Sequence, residues 1–164
     1  KVQVSVQSAF GCGFEGPVPE ERVLDIIRVY LDAGLRHLSL ADTAGHAHPA
    51  QVTRLFSEIR RLAPDADFAC HFHDTYGLGV ANVYAALAAG VTVVETSFAG
   101  LGGCPFTKVA AGNVATEDVV HALQRTGVRR DIDINRLVAL ARDVAAFFGR
   151  ELPGRVYKTG PLSY

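Results

Sequence analysis

The chain has little cysteine, no excess of charge of either sign and no signal-peptide pattern at its start, and each shortage removes a class of protein. Three cysteines, Cys12, Cys70 and Cys104, lie far apart and form no Cys-x-x-Cys pair, which argues against a disulfide framework or a zinc knuckle. A reducing compartment is expected, the cytoplasm or, in a eukaryote, the mitochondrial matrix. Lysine and arginine number 16 against 17 acidic residues, and basic residues cluster only in short pairs such as Arg129–Arg130. That balance offers no electrostatic reason to bind nucleic acid or an anionic membrane. The opening residues lack a charged start followed by an apolar middle. One uncharged stretch, Gly77 to Val94, is long enough to cross a bilayer. Gly90 divides it into a helix-like half and a β-branched half, the pattern of a buried helix followed by a buried parallel strand.

What is present is a chain of 164 residues, 49% hydrophobic and 20% charged, enough to bury one core as a single domain over residues 1–164. Strand patterns at Val2–Ala9, Arg36–Leu40, Asp67–His73 and Thr92–Thr96 alternate with helical patterns at Pro19–Ala33, Pro49–Leu62 and Leu78–Ala89. Two more helices are expected at about Glu117–Thr126 and Asn135–Gly149. The motif Asp-Thr-x-Gly occurs at Asp42 and again 32 residues later at Asp74, about one strand–helix unit apart. Repeated βα units with polar strand ends point to a (β/α) barrel or an open parallel sheet. The strand-like opening, VQVSVQSAF, suggests a chain that begins inside something larger.

Two places carry candidate chemistry. In ACHFHDTYGLG, His71 and His73 are two apart on a strand and project from one face. Such a pair suits a divalent metal, and it equally suits a polar strand end. The glycine-rich stretch AGLGGCPFTKVAAGN must turn sharply or approach something closely. Within it Cys104 is a possible acid, base or nucleophile, or a small loop residue filling a gap. Asn113 offers a neutral oxygen ligand, or serves as a turn residue after Gly112. Thr116 is placed to cap a helix before Glu117 and Asp118.

Taken in order, GCGFEGPVP (Gly11–Pro19), LSLADTAG (Leu38–Gly45), HFHDTYGLGVAN (His71–Asn82) and AGLGGCPFTKVAAGNVATEDVV (Ala99–Val120) resemble the 3-hydroxy-3-methylglutaryl-CoA lyases of the DRE-TIM metallolyase superfamily. The resemblance covers about Val2 to Phe148 and implies an α/β fold of the (β/α)8 TIM barrel family. This chain would supply the last four βα units, strands five to eight, plus C-terminal helices. It implies His71, His73 and Asn113 as ligands of a divalent cation, Mg2+ or Mn2+, with room left for water, substrate oxygens and a carboxylate. The family's Asp-Arg-Glu motif, which supplies that carboxylate and an arginine for the developing enolate, is absent from these residues. The fragment alone is therefore expected to bind metal weakly and to be inactive.

The implied reaction is metal-dependent cleavage of 3-hydroxy-3-methylglutaryl-CoA to acetyl-CoA and acetoacetate, which needs a base, an electrophile and an acid. By the same resemblance Asp42 sits where acid/base chemistry is expected, His71 relays protons as well as ligating, Cys104 is the acid and Glu117 belongs to the polar shell. The Gly-Gly-Cys-Pro run separates the chain from isopropylmalate and citramalate synthases, the alternative within the superfamily. The departures are Ala41, where a glycine is usual, and His46 and His48, where smaller or apolar residues are usual. These histidines alter the acyl pocket or lie in solvent. The expected partners are an acyl-CoA substrate and either a second copy, as a homo-oligomer (dimer), or the missing barrel half.

A metal-dependent amidohydrolase also uses a His-x-His strand, but it needs later ligands, and only His121, in a helical pattern, follows His73. The non-enzyme alternative is an inactive half-barrel that folds or pairs. Four strands alone are expected to leave two unpaired edges and a largely apolar face lined by Val4, Val6, Leu38, Ala69 and Val93, which invites association. The tail ELPGRVYKTGPLSY carries no motif.

Overall fold

The computed structural model describes residues 2–103 and 112–162. Four parallel strands run in sequence order: β1 (Gln3–Val6), β2 (His37–Asp42), β3 (Asp67–Phe72) and β4 (Val93–Glu95). Between them lie α1 (Glu20–Asp32), α2 (Pro49–Leu62) and α3 (Gly79–Ala88), so each crossover is the helix that parallel pairing requires. A short 3-10 turn (Phe98–Gly100), α4 (Thr116–Arg125), α5 (Ile134–Phe147) and α6 (Val156–Thr159) follow β4. Proline opens α2 at its first turn, where no backbone N–H is needed. The Asp133 carboxylate caps α5 by accepting from the amides of Asn135 and Arg136.

The uncharged Gly77–Val94 stretch forms α3 and β4. No helix among the described residues is long and apolar enough to cross a membrane. The expected N-cap at Thr116 is corrected. Ala115 occupies that position and Thr116 opens α4, its amide donating to the Ser97 carbonyl at 2.9 Å. Its hydroxyl instead pairs with that of Thr96 at 2.9 Å.

Register divides the sheet into two faces. Val4, Leu38 and Phe68 form one row across the strands, and Val6, Leu40 and Cys70 another; these side chains join Ile27, Leu55, Phe56 and Ile59 from the helices in the main core. Ser5, Ser39, Ala69 and Val93 form a row on the opposite, concave face, with Ala41, His71 and Glu95 one layer further on. The expected apolar face therefore does not exist as such. Val4, Val6 and Leu38 are covered by helices, whereas the face left without helices carries Gln3, Ser5, His37, Ser39, His71 and Glu95, with Val93 as its large exposed apolar side chain.

The tail is also structured. Leu152 and Tyr157 are buried with Ala99 and Ala141 in a second core. Asp118 accepts from the amides of Arg155 and Val156, and the Gly154 amide donates to the Ala99 carbonyl at 2.8 Å.

Candidate metal centre

Strand β3 delivers the histidine pair to the carboxyl end of the sheet, where parallel α/β folds hold their chemistry. His71 is the strand's penultimate residue and His73 follows its end, and their rings lie 5.3 Å apart between centroids. The loop after β4 returns beside them. The Val114 amide donates to the Phe72 carbonyl at 2.9 Å and the Asp74 amide to the Gly112 carbonyl at 3.1 Å, so Asn113 lies directly across an antiparallel bridge from His73. Pairing of two short segments, far apart in sequence, thus sets the Asn113 backbone beside that of His73.

The Asn113 side chain is oriented by its neighbours. Its Nδ2 donates to the Leu101 carbonyl at 2.9 Å, leaving Oδ1 buried with no partner among the described residues. A buried amide oxygen without a donor is costly unless something else satisfies it. The glycines around it leave little room: a Cβ at Gly102 would sit 2.7 Å from Asn113 Nδ2, and one at Gly112 would sit 1.6 Å from the Gly100 carbonyl oxygen. Two imidazoles and an orphaned amide oxygen form a donor set that fits a divalent cation. Among the described residues no group of three or more His, Cys, Asp or Glu is gathered for a metal.

Asp42, fully buried, accepts the His46 amide on Oδ1 at 2.8 Å and the Ala47 amide on Oδ2 at 3.1 Å, holding the turn into α2. Burial pushes its carboxyl above the usual range. Glu117, also fully buried, accepts the Ala99 amide at 3.1 Å on Oε2, while Oε1 has no partner among the described residues and lies against Gly154. Burial raises this carboxyl as well. Cys104 lies outside the described residues. Cys70 is pushed up to about 12 by burial, so no thiolate forms there near neutral pH. The exposed His46 ring stands beside Tyr76, 5.9 Å between centroids, and over Gly11; His48 is exposed before α2.

Two features escaped the sequence. Glu95, the last residue of β4, is the register partner of His71, and its Oε2 lies 3.0 Å from His71 Nδ1. Arg155, in the tail, forms an ion pair with Asp74 at 2.9 Å, next to His73. Neither pairing has a local motif, because both depend on how distant segments meet.

Parallel strands with a donor set at their carboxyl ends define this chain as part of an α/β barrel bearing a candidate metal centre. It belongs to the HMGL-like family, which matches residues 2–144. The chain is 40% identical over 145 residues to the mitochondrial hydroxymethylglutaryl-CoA lyase of Arabidopsis thaliana, covering 88% of this chain and 31% of that protein. It is 41% identical over 159 residues to the (R)-citramalyl-CoA lyase of Chloroflexus aurantiacus, covering 97% and 50%. The structure of an HMG-CoA lyase from Acinetobacter baumannii in complex with coenzyme A and 3-methylmalate superposes with a TM-score of 0.92 at 38% identity, covering 98% of this chain and 53% of that one. The chain spans about half the length, or less, of these proteins.

Proposed function

We propose that residues 1–164 are the C-terminal half of a (β/α)8 barrel whose complete protein cleaves the carbon–carbon bond of a 3-hydroxyacyl-CoA, most directly 3-hydroxy-3-methylglutaryl-CoA to acetyl-CoA and acetoacetate. The observation that supports this reading is the backbone bridge that sets Asn113, its Oδ1 buried, across from His73 and beside the His71–His73 ring pair, in a chain of the HMGL-like family. These three residues would hold a divalent cation, Mg2+ or Mn2+. When bound, it supplies a positive charge that steadies the alkoxide and the carbonyl oxygen of the substrate. The other donors, including a carboxylate, and the arginine for the enolate come from outside this chain.

The reaction needs one proton taken from the tertiary hydroxyl and one delivered to the enolate carbon after the C2–C3 bond breaks. His71 serves in the first transfer as well as in ligation, and Cys104 delivers the second. Asp42 and Glu117, both raised by burial, are the carboxyls of the proton-handling shell. Asp42 does so while holding the His46–Ala47 turn, and Glu117 while holding the amide at Ala99. The polar concave face, with the buried and unpartnered Ser39 hydroxyl, faces the rest of the barrel rather than solvent.

A second substrate has a specific support, the 41% identity to an (R)-citramalyl-CoA lyase. Both substrates are tertiary alcohols at the carbon β to a thioester, so the chemistry is shared. The test assays the full-length protein, metal-stripped and then given Mg2+ or Mn2+, against both thioesters. Cation-dependent release of acetyl-CoA from 3-hydroxy-3-methylglutaryl-CoA is expected, with loss of at least two orders of magnitude in Asn113→Ala. Faster cleavage of citramalyl-CoA reassigns the substrate, and condensation of acetyl-CoA with a 2-oxo acid as the main activity overturns the lyase reading.

A further inference from the structure

We propose that Glu95 is the positioning residue of the centre, fixing the tautomer and ring orientation of His71. The proposal rests on His71 being a metal ligand. His71 and Glu95 are cross-strand neighbours on the concave face, and parallel register makes their contact a property of the sheet rather than of a loop. The 3.0 Å contact between Glu95 Oε2 and His71 Nδ1 is a hydrogen bond to a carboxylate oxygen when the ring carries its proton on Nδ1. Nε2 is then the ring's sole lone-pair nitrogen, the form a metal or a substrate hydroxyl can use. A carboxylate on the far nitrogen of a metal-binding imidazole is the usual means of holding such a ring.

The other carboxylate oxygen is held too. Gln3 Nε2, on the first strand, donates to Glu95 Oε1 at 2.7 Å. Glu95, on β4, therefore has one oxygen anchored directly by β1 and the other aimed at the ring that β3 presents. Its side chain keeps 38% of its exposure and that of His71 28%, so neither is committed to the helix-covered core. Removing the carboxylate should disturb the centre more than the fold.

The experiment uses the full-length protein, with Glu95→Ala and the near-isosteric Glu95→Gln, whose amide oxygen can still accept. Long-range 1H–15N correlation of histidine-labelled, metal-free protein reads the tautomer, and titration with Mn2+ reads affinity. Wild type should show His71 protonated on Nδ1 when neutral. Glu95→Ala should lose that preference and bind Mn2+ about 10–100-fold more weakly, while Glu95→Gln keeps the tautomer and most of the affinity; melting temperatures should stay within a few degrees. A wild-type His71 protonated on Nε2, or a Glu95→Ala variant with unchanged tautomer and Mn2+ affinity, overturns the proposal. A tautomer that shifts in Glu95→Ala, in a protein whose wild type binds no Mn2+, supports the positioning role and refutes the ligand assignment instead.

Discussion

Replacing Gly112 by alanine tests whether the Asn113 segment is as tightly built as its geometry indicates. The new methyl would lie 1.6 Å from the Gly100 carbonyl oxygen, 2.7 Å from its carbonyl carbon and 2.9 Å from the Gly102 carbonyl oxygen. All three are backbone atoms, so no side-chain rotation relieves the clash. A tolerable carbon–oxygen approach is about 3.3 Å, and the two segments must part by roughly 1.5–2 Å to reach it. That movement strains the Asp74 amide to Gly112 carbonyl bond and the Asn113 Nδ2 to Leu101 carbonyl bond together. Overpacking costs about 1–3 kcal/mol and each lost bond about 0.5–1.5 kcal/mol. The expected loss is therefore about 2–6 kcal/mol, or a melting temperature lower by roughly 4–24 °C at about 2–4 °C per kcal/mol. Displacement of Asn113 by about 1 Å should also cost on the order of 100-fold in turnover. Thermal unfolding, Mn2+ titration and turnover of the full-length protein measure the three effects. Gly34→Ala is the control: Gly34 has φ +79° and nothing within 4 Å of the added carbon, so it should lose only about 1–2 kcal/mol of local strain energy and none of the Mn2+ affinity. A Gly112→Ala protein with wild-type melting and Mn2+ affinity would refute the reasoning.

Phe72, next to His71 in sequence but fully buried in the helix-covered core with its ring 5.7 Å from that of Phe10, should cost about 3–5 kcal/mol when replaced by alanine in a urea unfolding experiment. A loss below about 1 kcal/mol would mean that this part of the core collapses to fill the space. Glu117 holds its proton more tightly folded than unfolded because burial raises its carboxyl; its contribution is present below the ordinary value of 4.5 and is lost as pH rises through the higher folded value. Glu117→Gln should therefore gain in melting temperature relative to wild type as pH rises through that window, and parallel curves from pH 4 to 8 would contradict the cause assigned.

Much of this protein is legible locally. Strand patterns marked all four strands, the fourth by its β-branched run after Gly90, and the helical patterns between them marked the helices, because a side chain's face is set by backbone geometry within a few residues. The boundaries of α2 agree with the pattern at both ends, since proline at its start acts through its own ring. His71 and His73 could be paired for the same reason, as two residues on one strand. Asn113 came from family resemblance rather than from geometry, and only folding places it across from His73.

What the tertiary structure alone decided is everything that depends on register and on long-range closure. Val4 and Val93 both read as apolar strand residues, yet one lies under helices and the other on the concave face, a distinction that alternation cannot orient until strands are paired. Glu95 became the partner of His71 only when β4 aligned with β3. The tail carried no motif because its anchors, the Ala99 carbonyl, the Asp118 carboxylate and Asp74, lie 37 to 81 residues away or act through backbone groups common to every residue. Local sequence determines which way each side chain leaves the backbone; it does not determine which distant group it will meet, because that is settled by the packing of the whole sheet and its helices.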